Sequence, residues 1–307
     1  MGRPLRITYS GAHYHVTSRG NEQKDIFKNR RDREKFIQYL ESSVTRYGAI
    51  VHAYCLMSNH YHLLLETREA NLPEIMRHIN GAYTNYYNTK RKRVGHLFQG
   101  RYKAVLIEAD EYLMELSRYI HLNPVRAGMT TMPEEHSWSS YRDYIGARPT
   151  PSWLRIDTVL EHFGDSNKYR QFVEDMLGKE YESPLDKAIA STLLGGESFV
   201  QEIMATHLDG KQLERDVPAV RKLSKTRKIK MIVENVRGAF GDTKLEEKAA
   251  IYLAHRYSGA QLKELGEYFG KSVSAISQSS RRFAAELAGD EKLTKEVFFL
   301  GKNLKLS

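Results

Sequence analysis

Residues 50–67 read IVHAYCLMSNHYHLLLET. Ile50–Met57 and His60–Thr67 are two runs rich in apolar and β-forming residues, and Ser58-Asn59 between them supplies a tight turn. The stretch reads as a hairpin, and the fold is built outward from it. Upstream, His13–Ser18 (HYHVTS) alternates as a strand does, and Arg19-Gly20-Asn21 ends it. Asn29–Tyr47 carries Phe36, Ile37, Leu40 and Val44 on one helical stripe, closed by Gly48. Downstream, Leu72–Asn88 predicts a second helix, with Asn71 as its cap and Pro73 in its first turn. Thr89–Gly100 is a basic loop punctuated by glycine, and Arg101–Glu108 predicts a fourth strand. Asp110 is placed to cap a third helix running through Leu122, with Pro124 and Gly128 as its terminators.

The order strand, helix, strand, strand, helix, strand, helix is a βαββαβ core plus one helix. It predicts an α+β fold of ferredoxin-like type with an antiparallel sheet, inside residues 1–130. Residues 131–150 hold Trp138, Tyr141 and Tyr144 and suit a packed excursion over that core. The expected division is a domain at 1–130, a mostly helical connector at 131–220, and an all-α region at 221–307.

The composition narrows the function classes. Among 307 residues, 47 Lys+Arg against 38 Asp+Glu give a net charge of +9. Residues 1–103 hold 18 basic and 8 acidic residues, so the rest of the chain is close to neutral. Within that rest, RKLSKTRKIKMIVENVR at 221–237 has seven basic residues and one acidic. Two positive surfaces favour an anionic partner, nucleic acid first, although a charged face also serves solubility alone. The single cysteine, Cys55, excludes an intrachain disulfide framework and a cysteine-cluster zinc site. No run reaches the roughly 18 apolar residues of a membrane span, and the opening MGRPLR has no apolar signal core. A cytoplasmic location is the expectation.

His60-Tyr61-His62 opens a strand, so its two imidazoles project from one face and can share a divalent ion. A pair of half-buried sheet histidines is the plainer reading. His13-Tyr14-His15 has the same spacing, so spacing does not choose between the pairs. On the third helix Glu115, Tyr119 and Asn123 are four apart and share a face. A tyrosine there ordinarily packs. Its hydroxyl, with an intrinsic pKa near roughly 10, becomes a useful nucleophile only beside a phosphate polarised by a cation. Asn123 would then offer that ion an oxygen.

Taken together, LMSNHYHLLLE at 56–66, FQGRYK at 98–103, SRYIHLNPVRAG at 117–128 and the opening YHVTSRGN at 14–21 resemble the HUH single-tyrosine transposases. The nearest branch is the REP-associated tyrosine transposases, with their insertion-sequence relatives. The resemblance covers about residues 1–130. It implies that His60 and His62 are the metal pair and that Tyr119 is the nucleophile. It also implies that Asn123 is a further metal ligand. His121 is a local rival, but two residues along a helix turn it to roughly the opposite side from Tyr119. The implied chemistry is attack on a single-stranded DNA phosphate, giving a 5′-phosphotyrosine link and a free 3′-hydroxyl. The implied cofactor is Mg²⁺ or Mn²⁺, and no nucleotide is needed. Hairpin-forming repeats are the implied substrate. A homodimer is compatible, with Tyr119 serving its own histidines or a partner's.

Arg101, Lys103 and the basic stretch Lys90–Arg93 are candidate phosphate contacts. Arg3 and Arg6 can reach flanking nucleotides from the N-terminal segment. Tyr83, Tyr86 and Tyr87 can stack on bases, but their helical spacing favours packing.

In Lys248–Leu287, Leu262, Leu265 and Phe269 form a short stripe, Gly270 breaks it, and Val273, Ile276 and Phe283 begin another. Two helices across a tight turn fit a helix-turn-helix. The segment resembles the DNA-binding domain of the replication initiator DnaA over about forty residues, but lacks a clear Asp-His-Thr triplet. Its groove-facing candidates are Ser272, Ser274, Ser277, Gln278, Arg281 and Arg282, with duplex DNA as partner. An ordinary helical hairpin is the alternative.

Overall fold

The structure, a computed structural model, describes residues 6–180, 182–189, 191–207 and 218–303. The chain divides by internal contact into two units, Met1–Gln212 and Leu213–Ser307.

The first unit is built on β1 (Ala12–Arg19), α1 (Arg30–Tyr47), β2 (Ala49–Leu56), β3 (His60–Thr67), α2 (Leu72–Lys90), β4 (Lys103–Ile107) and α3 (Ala109–Arg126). The strand order is β2-β3-β1-β4-β5, where β5 (Leu193–Leu194) comes from the connector and pairs parallel to β4. The other neighbours are antiparallel. The α+β sandwich expected from the element order is therefore present, with one more strand.

Alternation assigns the two sheet faces. Tyr14, Val16, Tyr61, Leu63 and Leu65 are buried and belong to one face, on which Phe36 of α1 meets Tyr61 with ring centroids 4.7 Å apart. Tyr61 also donates its hydroxyl hydrogen to Asn80 of α2 at 2.7 Å. On the other face, Leu64, Val105 and Ile107 form a core with Leu113, Leu116 and Ile120 of α3. Burying each such side chain contributes about 1.5–3 kcal/mol, and this decides the register, since a one-residue slip would send the apolar set to the wrong side.

Three helix ends differ from expectation. Asn29 lies outside α1 as its cap and accepts from the Asp32 amide. Asn71 makes no side-chain cap; its amide group donates instead to the Tyr47 carbonyl at 2.9 Å. Asp110 lies inside the first turn of α3, with Glu108 at the cap position. That helix also runs through Pro124 to Arg126. Proline inside a helix forfeits one backbone hydrogen bond, a cost of about 3 kcal/mol. The helix continues because Leu122, Asn123 and Pro124 are all buried. It ends where Gly128 turns left-handed (φ +66°) and the Met129 amide closes on the Pro124 carbonyl. β4 is shorter than expected, leaving Arg101 in the preceding loop.

The connector covers the β2 edge, and its β5 pairs with β4 on the other side of the sheet. The Leu56 amide of β2 donates to the Trp138 carbonyl at 2.8 Å, and the Arg155 amide donates to the Val51 carbonyl at 2.9 Å. Covering an edge removes a template for strand addition. The short helices α4 (Tyr141–Tyr144), α5 (Asp157–Leu160) and α6 (Ser166–Glu174) pack with α3, and α7 (Glu197–His207) follows β5.

The second unit consists of α8 (Pro218–Val236), α9 (Thr243–Tyr257), α10 (Leu262–Phe269), α11 (Val273–Gly289) and α12 (Glu291–Asn303). Ile232, Leu253, Leu265, Ile276 and Phe283 meet in its core. Gly270 ends α10 in the left-handed region (φ +62°), and Ser272 caps α11 by accepting from the Ala275 amide. Gly266 is needed for closeness: a Cβ there would lie 2.7 Å from the Lys271 carbonyl oxygen. No described helix is long and apolar enough to cross a membrane.

Candidate active site on the α3 face of the sheet

The β1–β3 register places Thr17 opposite His62 and Arg19 opposite His60. Directly opposed residues share a face, so the His60–His62 pair sits on the side covered by α3. Tyr119, Asn123 and Arg126 of α3 face the same space. These groups line one open cavity of about 650 Å³, together with His15, Arg101 and Lys103.

His62 is buried, and its ring centroid is 5.8 Å from that of Tyr119 in an edge-on contact. The His60 and His62 rings are 5.0 Å apart. His62 Nδ1 lies 3.0 Å from His15 Nε2, while its own Nε2 is buried without a hydrogen-bond partner. An unpaired buried nitrogen is costly unless something else occupies its lone pair. His60 Nδ1 donates to the Asn59 side-chain oxygen at 2.6 Å, which leaves Nε2 as its coordinating nitrogen. Asn123 donates its amide hydrogen to the Tyr119 carbonyl at 2.7 Å, leaving its side-chain oxygen as the ligand atom. Two imidazole nitrogens and one carboxamide oxygen therefore fit a divalent ion.

Burial keeps these rings neutral. It lowers His15 and His60 to about 4 and holds His62 well below the ordinary histidine value; Arg19 adds to the effect on His60, and His15, His60, Arg19 and Arg126 add to it on His62. Neutral imidazole is the form that binds metal. Arg126 lies with its guanidinium carbon 5.0 Å from the Tyr119 ring centre, a cation–π contact that fixes the ring. His121 is sealed elsewhere: its two nitrogens meet the Tyr169 hydroxyl at 2.7 Å and the Ser140 hydroxyl at 2.8 Å.

The remaining sequence candidates scatter. Arg101 and Lys103 are exposed at the cavity, as phosphate contacts require. Arg6 instead packs over the Tyr102 ring at 3.8 Å, and Arg3 lies outside the described residues. Lys90 and Arg91 are spent on the buried carboxylate of Asp32, with Lys90 at 2.8 Å. Tyr83 and Tyr87 donate to the carbonyls of Ile26 and Asp25, and Tyr86 donates to Asp32, which makes all three packing residues. Ser274, Gln278, Arg281 and Arg282 are exposed on α11 in the second unit. Ser272, also exposed, is committed to capping that helix.

His15, Arg19 and Arg126 are site residues that sequence reasoning missed. His15 was legible only as a rival to the metal pair, and its role follows from the strand register. Arg126 is seven residues after Tyr119, a helical repeat that carries its own signal.

Residues 8–123 match the family described as Transposase IS200 like. Those residues are similar to an IS200-like transposase domain. The matched residues include His60, His62, Tyr119 and Asn123. Among solved structures, the chain is similar to one described as a REP-associated tyrosine transposase bound to a REP hairpin, at 14% identity and a TM-score of 0.43. The likeness covers 50% of this chain and 92% of that one. No curated protein matches.

Proposed function

We propose that the transposase domain is a metal-dependent endonuclease and strand transferase for single-stranded DNA, with Tyr119 as nucleophile. The observation that carries this reading is the convergence of His60, the unpartnered His62 Nε2, Asn123 and Tyr119 on one cationic cavity. His60, His62 and Asn123 hold the ion, Mg²⁺ or Mn²⁺. When bound, it supplies Lewis-acid polarisation of the scissile phosphate. His15 accepts the His62 Nδ1 hydrogen and so directs Nε2 toward the cavity. Arg101 and Lys103 hold the flanking phosphates and make affinity salt-dependent. The Tyr119 oxygen forms a bond to phosphorus as the bond to the 3′-oxygen breaks; the phenolic proton is lost and the 3′-oxygen gains one. The phosphotyrosine bond retains the energy for rejoining, so no nucleotide is consumed. The edge-on contact between Tyr119 and His62 within one chain supports action of the tyrosine on its own histidines. Hairpin-forming repeats are the proposed substrate.

In the second unit, α10 and α11 form a helix-turn-helix for duplex DNA, read by Ser274, Ser277, Gln278, Arg281 and Arg282. The exposure of four of these on one helix supports that reading.

Cleavage of labelled single-stranded hairpins in Mn²⁺ tests the catalytic proposal. His60→Ala and His62→Ala are each expected to lower the rate by at least about 100-fold. Chelator should abolish cleavage by the unmodified chain. Full-rate cleavage by both variants, or in chelator, would contradict the assigned metal pair.

A further inference from the structure

A second histidine cluster lies on the same sheet face, toward the other end of the strands. His13 of β1 is opposite Glu66 of β3, and His52 sits at the register irregularity of β2 between Val51 and Ala53. Four residues along β1 separate His13 from Thr17, the partner of His62, which is about 13 Å. None of the three lines the transposase cavity.

The hydrogen-bond accounting at this cluster is unusual. Glu66 Oε2 is 3.0 Å from His52 Nε2 and 3.3 Å from His13 Nε2. The other nitrogen of each ring is committed to the backbone: His52 Nδ1 to the Arg155 carbonyl at 3.2 Å, and His13 Nδ1 to the Gly11 carbonyl at 3.1 Å. A carbonyl only accepts, so each Nδ1 carries a hydrogen. In a neutral ring Nε2 is then a bare lone pair. Two such lone pairs facing one carboxylate oxygen need a positive charge among them, supplied by a proton on one ring or by a metal ion.

The arrangement suits a metal ion. All three ligand atoms lie within 4.8 Å of one another. Tetrahedral zinc with bonds of about 2.0–2.1 Å spaces its ligand atoms about 3.3 Å apart, and two histidines with one carboxylate are an established zinc set. Backbone carbonyls on the remote nitrogens are the outer contacts that fix metal-binding imidazoles. The His13 and His52 rings are held nearly parallel, 18° apart. His52 is fully buried, whereas the side chains of His13 and Glu66 remain 17% and 23% exposed, leaving room for entry and a solvent ligand. Of the charges acting on the cluster, Asp110 favours a cation and Arg155 opposes one.

We propose that His13, His52 and Glu66 form a zinc site separate from the transposase centre, with water as fourth ligand. The ion ties β1, β2 and β3 together where the β2 irregularity interrupts the ladder.

The test uses the full chain carrying His60→Ala and His62→Ala, stripped of metal and titrated with Zn²⁺ against a chromophoric chelator. The expected result is about one bound equivalent, and Co²⁺ in its place should give the visible absorption of a tetrahedral site. Adding Glu66→Gln, which keeps a hydrogen-bonding side chain, should weaken zinc at least about tenfold and remove the Co²⁺ band. His13→Ala, at a partly exposed position, should do the same. Circular dichroism of each metal-free variant checks that the fold persists. No zinc binding by the background chain would overturn the proposal. So would zinc affinity and Co²⁺ absorption that survive both further substitutions.

Discussion

His15 shows how a single buried ring couples the site to stability. Its Nε2 meets His62 Nδ1, and burial lowers it to about 4. His121, with both nitrogens bonded inside the core, is lowered to about 3 by the same cause. In the unfolded chain such rings titrate near roughly 6.5. Between those values the unfolded state binds more protons, so stability rises with pH through that window and falls as the solution is acidified from about pH 6.5 to about pH 4. Denaturant unfolding of the metal-free chain at a series of pH values should show that fall. His15→Gln should reduce its slope by up to about 1.4 kcal/mol per pH unit. An unchanged slope would mean that His15 is not held neutral. At this scale the resemblance singled out His60, His62 and Tyr119, since His13-Tyr14-His15 has the same local spacing. It did not show that His15 belongs with His62, because that contact spans 47 residues and depends on strand register.

Among the elements, the hairpin at 50–67 and the helices on either side were readable because alternation and a 3.6-residue stripe are written in consecutive residues. The passage of α3 through Pro124 was not, because burial of the helix end outweighs the lost hydrogen bond, and burial is not a local property. The two-residue β5 carries no periodicity and exists only because the β4 edge is there to receive it. In the second unit the close turn after α10 depends on Gly266, whose missing Cβ admits the Lys271 carbonyl. Gly266→Ala is expected to destabilise that unit by about 1–3 kcal/mol through overpacking. Thermal unfolding followed by helical circular dichroism would measure it. No loss of stability would mean that the α10–α11 turn is looser than described.

For the whole molecule, the two units invite separate tasks. The cavity of the first is lined by Arg19, Arg101, Lys103 and Arg126, which accords with the excess of positive charge early in the chain. Removing residues 213–307 should leave the sheet and its cavity folded, since the division falls at Gln212. The truncated chain is expected to cleave single strands at a rate within about threefold of the full chain. Its duplex affinity should fall by about tenfold or more, with a shallower salt dependence, as lost phosphate contacts require. Electrophoretic mobility shifts across a salt series would measure both. Unchanged duplex affinity would assign α10 and α11 to packing and not to DNA.

Tyr119 is expected to become covalently joined to DNA during cleavage. Purified chain would be mixed with labelled single-stranded hairpins in Mn²⁺, denatured, and run on a gel. The expected result is label that stays on the protein, disappears in chelator, and is absent with Tyr119→Phe while native-gel binding of the DNA persists. A covalent adduct formed at full strength by Tyr119→Phe would contradict it.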